Sequence, residues 1–346
     1  MAQARVRLPP AGATPATAFL SGSNPRPARL PFSSKPTPTS LYAAAAANAP
    51  PAPIVVVGSA NADIYVEVDR LPLAGETVAA HAGRSLAGGK GANQAACGGR
   101  LALGPTYLVA RVGDDANGRL LEGALADAGG VRTDRVARAP DAPSGHAVVM
   151  LMPDGQNSII IVGGANMEGW SAGIGAEDLD LIQKAGVLLL QREIPDWVNT
   201  QAAQAAKSAG VPVIMDAGGM DAPVPRELLS LVDIFSPNET ELARLTGMPT
   251  ETFEQISQAA GRCHKMGVKE VLVKLGSQGS ALFVEGEEPI RQSIIPATEV
   301  VDTTGAGDTF TSAFAVALVE GKPKKECMRF AGTNSTSSST FDQLVC

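Results

Sequence analysis

The chain has 346 residues, 45% hydrophobic and 18% charged, an ordinary balance for a protein that buries a sizeable core. Its 28 basic and 35 acidic side chains leave a net charge of −7, which supplies no positive surplus to neutralise nucleic acid or an anionic membrane, and no apolar run approaches the roughly 20 residues of a membrane-spanning helix. Cys97, Cys263, Cys327 and Cys346 show neither paired nor metal-knuckle spacing, and His81, His146 and His264 are scattered, so reduced thiols and no histidine metal site are expected.

Residues 1–48 differ from everything after them. No Asp or Glu precedes Asp63, Arg5, Arg7, Arg26, Arg29 and Lys35 make the segment basic, and Ala, Ser, Thr and Pro dominate it. That composition predicts a transit peptide or a disordered tail. Chloroplast ranks ahead of mitochondrion, because Pro36, Pro38, Pro50, Pro51 and Pro53 interrupt an amphipathic helix. A tail with no address, on a cytoplasmic protein, is the alternative.

Ile54-Val55-Val56-Val57 is fully apolar, as a buried parallel strand should be. It ends at Gly58-Ser59-Ala60-Asn61-Ala62-Asp63, and α/β folds bind ligands just past such strand ends. Ile64, Val66 and Val68 then alternate with Tyr65, Glu67 and Asp69, the period of a half-exposed strand. Leu71–Val78 turns back toward a second such strand, and Ser144–Ile161 alternates again before Gly163-Gly164-Ala165-Asn166. Together these predict a small β flap from about residues 63–86 and 144–165.

Between the two halves of the flap lies Ala87-Gly88-Gly89-Lys90-Gly91-Ala92-Asn93-Gln94-Ala95, a glycine-rich turn before a helix expected to run to about Leu103. The glycines let backbone approach a ligand, to which Lys90 and Asn93 offer donors. The stretch has neither the Ser or Thr of a P-loop nor dinucleotide spacing. Arg111–Asp115 is expected to open a helix through Leu120, Leu121 and Leu125.

Farther on, strands at Val187–Leu190, Val211–Met215, Ile234–Phe235, Val271–Leu275 and Ala281–Val284 alternate with helices near Trp197–Ala209, Glu239–Leu245 and Phe253–Met266, the sign of a mainly parallel sheet. Polar residues follow the strand ends: Glu193, Asp216, Pro237-Asn238-Glu239-Thr240-Glu241 and Lys274-Leu275-Gly276-Ser277-Gln278-Gly279. Any one can be a helix cap, Asn238 above all, but their common edge favours a shared site.

Val300 and Val301 close an extended segment before Asp302-Thr303-Thr304-Gly305-Ala306-Gly307-Asp308. Phe310, Ala313, Phe314, Ala317 and Leu318 then repeat at helical spacing on one face, and Gly321 and Pro323 end the helix. The N–H groups of Gly305, Ala306 and Gly307 therefore stand free at a helix N-terminus, an anion site. Asp308 reads either as a helix-terminal carboxylate or as a proton acceptor beside that anion hole. After Arg329-Phe330-Ala331, residues 332–346 form a Ser/Thr-rich run of poor helix formers, expected to be a low-complexity tail.

From about Ile54 to Ala331 the chain resembles the ribokinase-like (PfkB) carbohydrate kinases. Gly88–Ala95 resembles the family's first signature, Asp302–Asp308 its second, and Pro237–Glu241 carries its Asn-x-x-Glu. The resemblance implies a three-layer α/β/α fold with a mainly parallel central sheet and a small β-sheet lid, and ATP-dependent phosphorylation of the 5-hydroxyl of ribose. By position it implies sugar contacts from Asn61, Asp63, Gly89, Lys90, Gly91, Asn93 and Glu193, with Asp308 as the base. Asp216, Asn238, Lys274, Gly276, Ser277, Gly279, Gly305, Ala306 and Gly307 would lie along ATP, with Glu241 at magnesium directly or through water. Asp302 and Thr304 match part of a potassium site, and the lid would also form a homodimer contact. Asp216 places an added negative charge near the phosphates, where many bacterial members carry Asn. The departure after Ala331 is expected to expose an apolar face of the Thr309–Val319 helix or its neighbours. Another sugar or nucleoside kinase of this family, or a catalytically impaired member acting as a binding protein, are the competing readings.

Overall fold

The computed structural model describes residues 51–154, 156–295 and 305–337. The transit-peptide reading, the extended segment at Val300–Val301 and the proposed potassium ligands Asp302 and Thr304 fall outside them.

The chain begins with β1 (Ile54–Val57), β2 (Asn61–Glu67) and β3 (Ala82–Gly88), then α1 (Lys90–Leu101), β4 (Thr106–Gly113), α2 (Ala116–Asp127), β5 (Val131–Arg132) and β6 (Val136–Ala139). It continues through β7 (His146–Leu151), β8 (Asn157–Val162), α3 (Ala165–Glu168), α4 (Ala176–Gln183), β9 (Val187–Arg192), α5 (Asp196–Ser208), β10 (Val213–Gly219), α6 (Arg226–Leu231) and β11 (Ile234–Ser236). It closes with α7 (Glu239–Thr246), α8 (Phe253–Lys265), β12 (Glu270–Lys274), β13 (Ser280–Val284), β14 (Ile290–Gln292), α9 (Ala306–Val319) and α10 (Lys324–Ser337).

The main sheet has the order β14-β13-β12-β11-β10-β9-β1-β4-β5, with β6 also on β4. It is parallel from β5 to β12 and antiparallel only at β13 and β14. A second sheet, β3-β2-β7-β8, stands apart from it. Strand period two divides the core. Val55 and Val57 join Leu188, Leu190, Met215 and Phe235 under α5, α6 and α8, whereas Ile54 and Val56 join Leu108, Leu189 and Ile214 under α1, α2, α9 and α10. The central strands must be apolar on both sides because helices cover both.

Three local expectations change. Arg111–Gly113 ends β4 rather than opening a helix, and Asp115 caps α2 by accepting from the Gly118 N–H. β4 is a central strand that Tyr107 and Arg111 disguise as polar; the Arg111 guanidinium lies 4.1 Å from the centre of the Trp170 ring. The second change is in α9, whose buried residues run without a break from Asp308 to Ala317, so it is a core helix and not a one-faced one. The third is in the polar segment after Ala331, which stays helical to Ser337. There Thr333 Oγ1 donates to the Arg329 carbonyl and Asn334 Nδ2 to the Phe330 carbonyl, so the hydroxyl and amide bond back into the helix instead of competing with it. Cys327, Met328 and Ala331 of α10 are buried in the same cluster as Phe314, so the expected bare face on α9 is covered.

Candidate active site

The small sheet and the C-terminal ends of the main-sheet strands enclose a cleft of about 510 Å³. Asn61, Asp63, Gly89, Lys90, Asn93, Glu193, Gly305 and Asp308 line it, together with Tyr65, Arg84 and an apolar strip of Ala147, Val149, Ile159 and Ile161. One wall is set by the turn after β1. Ser59 Oγ donates to Glu193 Oε2 at 2.5 Å, and the Lys90 N–H donates to the same oxygen at 3.0 Å. Asn166, fully buried after the small sheet ends, accepts from the Ala60 N–H at 3.0 Å and donates to the Ala60 carbonyl at 3.0 Å and to Asn61 Oδ1 at 2.7 Å. Both backbone groups of Ala60 thus set the amide of Asn166, which leaves Asn61 presenting its N–H₂ toward Glu193, 3.5 Å away.

Gly89 links β3 to α1 and packs against this turn. Its φ of 93° and the 2.7 Å that a Cβ would leave to the Asn61 nitrogen admit only glycine. From the first turns of α1, Asn93 Nδ2 donates to Asp308 Oδ2 at 3.0 Å and Lys90 Nζ lies 3.6 Å from Asp308 Oδ1. Gln191 Nε2 donates to Gln94 Oε1 at 2.7 Å, and Gln94 Nε2 reaches toward Asp308 Oδ1 at 3.5 Å. Asp308 itself is only 4% exposed. Burial pushes its carboxyl above the usual range against the pull of Lys90, with Asp216 adding to the rise. Lys90 is held firmly protonated, first by Asp308 and then by Asp216, Glu193 and Glu241. A carboxylate of raised basicity beside the open N–H groups of a helix N-terminus suits proton abstraction coupled to transfer of an anionic group.

The other residues expected along a nucleotide are not among those lining this cleft. Gly305 caps α9 at φ 74°, leaving the first helical N–H groups pointing outward. Gly276–Gln278 forms an exposed 3₁₀ turn after β12, closed by the Leu275 N–H on the Gly279 carbonyl at 2.9 Å. Asn238 and Glu241 cap α7 reciprocally, each side chain accepting from the other's N–H at 2.8 Å. Asp216 is completely buried and paired with Lys274 at 2.6 Å.

Residues 52–338 match the model of the pfkB family carbohydrate kinases. The chain belongs to that family. It is 63% identical over 324 residues to a ribokinase of Arabidopsis thaliana, covering 90% of this chain and 85% of the relative. To a ribokinase of Bacillus subtilis it is 35% identical over 285 residues, covering 82% and 92%. The solved structure of Arabidopsis thaliana ribokinase complexed with ribose and ATP is similar at a TM-score of 0.82 and 64% identity, covering 85% of this chain and 94% of that one.

In this pfkB kinase the sequence-expected residues divide by position. Asn61, Asp63, Gly89, Lys90, Asn93, Glu193, Gly305 and Asp308 converge on one cleft. Gly91 is not among the residues that line it; it is buried, and its N–H donates to Ser59 Oγ at 3.3 Å. Asp216 is not an open charge beside the phosphates, because Lys274, Thr311 Oγ1 and the Gly218 N–H occupy its oxygens. Ser59, Gln94, Asn166 and Gln191 escaped sequence reading, although Ser59 and Gln94 stand inside the motifs. Ser59 meets Glu193 134 residues away, Asn166 meets Ala60 106 away, and Gln94 meets Gln191 and Asp308 97 and 214 away, distances no local pattern encodes.

Asp63 gives the small sheet a pH-dependent foot. Burial, with Glu193 adding to it, raises its carboxyl to about 7. A raised carboxyl favours the folded state fully below the unfolded value of 3.8, and the contribution is lost as pH rises through 7. Asp63→Asn should therefore remove a fall in stability between pH 4 and 7, up to about 4 kcal/mol from three pK units. Urea midpoints of both proteins across that range measure it, and parallel curves would show that Asp63 titrates normally.

Proposed function

We propose that this chain transfers the γ-phosphate of ATP to the 5-hydroxyl of D-ribose, forming ribose 5-phosphate. The observation that carries the reading is the position of Asp308. It is buried at the start of α9, in the same cleft as Asn61, Asp63, Lys90, Asn93 and Glu193 and next to the outward N–H groups after Gly305. A sugar is a ring of hydroxyls, each able to donate and accept. Asp63 and Glu193 supply acceptors, and Asn61, Lys90 and Asn93 supply donors. Asp308 takes the proton of the attacking hydroxyl, and the N–H groups of Gly305, Ala306 and Gly307 receive the charge of the transferring phosphoryl group. An ATP-coupled panel of ribose, 2-deoxyribose, fructose and adenosine tests this reading, with ribose expected to have the highest kcat/KM. A preference for a nucleoside or another sugar would replace the substrate, and no turnover of any would favour a binding protein.

The donor set fits magnesium carried by ATP rather than by a protein cage. Among the described residues no three His, Cys, Asp or Glu side chains cluster at metal distance, and one Glu241 oxygen already serves the α7 cap. Glu241 would hold the ion directly or through water, and magnesium would neutralise phosphate charge. Potassium activation rests on Asp302 and Thr304 through the family resemblance, and turnover in potassium against tetramethylammonium buffer tests it.

The small sheet serves as the lid and as a homodimer contact. On β8, Ile159, Ile160 and Ile161 are 54%, 57% and 65% exposed, so both faces of that edge strand offer apolar surface to the cleft and to a second copy. Sedimentation should show a dimer that Ile160→Lys converts to monomer; a monomeric parent protein would refute it. The basic, acid-free first 48 residues support plastid import, which a fluorescent fusion of that segment remaining in the cytosol would contradict.

A further inference from the structure

Asn166 is the first polar side chain after β8 ends, and it is 1% exposed. Its amide is spent entirely on the turn after β1. Oδ1 accepts from the Ala60 N–H at 3.0 Å, and the two hydrogens of Nδ2 go to the Ala60 carbonyl at 3.0 Å and to Asn61 Oδ1 at 2.7 Å. No donor hydrogen is left over, and Asn166 is not among the residues that line the cleft. Any part it plays in recognition therefore passes through Asn61.

What the arrangement fixes is the orientation of an amide. Turned over, Asn166 would set a donor against the Ala60 N–H and an oxygen against two carbonyl oxygens, so the backbone of Ala60 allows one orientation only. Asn61 inherits it. Its Oδ1 is held by Asn166, and its N–H₂ is left toward Glu193 Oε2, 3.5 Å away, in the cleft that both residues line. The two bonds to Ala60 already tie the end of the small sheet to this turn; the third goes to a side chain whose other end serves the cleft. Gly145 keeps that third contact close. It carries no positive φ, so space alone forbids a side chain there: a Cβ would land on Asn166 Nδ2 and stand 2.5 Å from Asn61 Oδ1. The backbone of Asn166 is anchored in turn by the Trp170 Nε1–H, which donates to its carbonyl at 2.8 Å.

We propose that Asn166 is a positioning residue for sugar recognition, locking the Asn61 amide so that Asn61 meets the sugar as a donor beside the acceptor Glu193. The inference rests on the sugar-kinase reading above and adds to it what sets the polarity of that contact. A hydroxyl seated between the two accepts from Asn61 and donates to Glu193. An inverted Asn61 would confront the same hydroxyl with two acceptors, and one hydrogen bond would be lost. Setting the amide before the sugar arrives also spares the cost of ordering it at binding.

The test is a double-mutant cycle read by calorimetric binding of ribose and of ATP. Asn166→Asp keeps the shape and the acceptor for the Ala60 N–H but presents oxygen to Asn61, whose amide then turns its N–H₂ toward the new carboxylate. At about pH 8, with both donors holding that carboxylate ionised, the ribose dissociation constant should rise about tenfold, the loss of one hydrogen bond, and that of ATP should stay within about twofold. Gly145→Ala adds no charge and drives a methyl between the two amides, so it should weaken ribose in the same direction. In an Asn61→Ala background each change should add less than about twofold to the ribose constant, because the group through which Asn166 acts is gone, while any fall in melting temperature persists. Weakening of ribose by the same factor in both backgrounds would overturn the proposal and leave Asn166 a tie between the small sheet and the turn after β1. Ribose binding that Asn166→Asp leaves within about twofold of the parent would overturn it as well. If the parent binds another sugar in place of ribose, the ribokinase reading falls, and the same cycle run with that sugar still decides the role of Asn166.

Discussion

Asp308→Asn should lower kcat by a factor of about 10²–10⁴ while ribose and ATP still bind. The carboxamide has the shape of the carboxylate and can still meet Asn93, which lies 3.0 Å from Asp308 Oδ2, but it cannot take up the proton of an attacking hydroxyl. It also leaves Lys90 without its nearest counter-ion, 3.6 Å away, so a modest change in sugar affinity is expected beside the large change in rate. Turnover with calorimetric binding of each ligand separates the two effects. Near-normal turnover would reduce Asp308 to a carboxylate that serves the N-terminus of α9.

The second large effect falls on folding. Phe314→Ala should destabilise the chain by about 3–5 kcal/mol, a large share of the roughly 5–15 kcal/mol that holds a domain folded. Phe314 is fully buried in the cluster shared by α1, α9 and α10, with Cys97 and Met328 among its members. No polar side chain in that cluster can relax into the void, so the loss combines transfer and cavity terms. Urea denaturation measures it, and Leu318→Ala, at a half-buried position on the same helix, should cost clearly less. A loss below about 1 kcal/mol at Phe314 would mean that α10 docks loosely and collapses onto the gap.

The tail shows where composition misleads. A run of Gly, Thr, Asn and Ser has low helix propensity, and read alone it predicts the end of regular structure at Gly332. Propensities differ by well under a kilocalorie per residue for most types, whereas the burial of Cys327, Met328 and Ala331 one turn earlier anchors the same helix to α9. β4 shows the converse. Tyr107 and Arg111 hide a central strand from a reading that looks for unbroken apolar residues, because the charge of Arg111 is met by a ring, Trp170, 59 positions later.

By itself the sequence determined what local rules encode. It specified the apolar strands that must be covered on both sides, the alternating strands of the small sheet, the glycine turn that opens a helix at Gly305, and the two motifs that mark a pfkB kinase. The strands and the turn follow from periodicity and from backbone freedom at single positions, the motifs from their resemblance to the family's signatures. Tertiary structure alone decided which polar groups face the cleft and which are consumed beneath it. Asn61, Glu193 and Asp308 open into one space because Asn166, Ser59 and Gln94 hold them from other elements. Asp216, equally polar but set within β10, is shut away by Lys274 and Thr311. A residue's place after a strand sets the edge it belongs to; the partners that fold over that edge set whether its charge reaches a ligand.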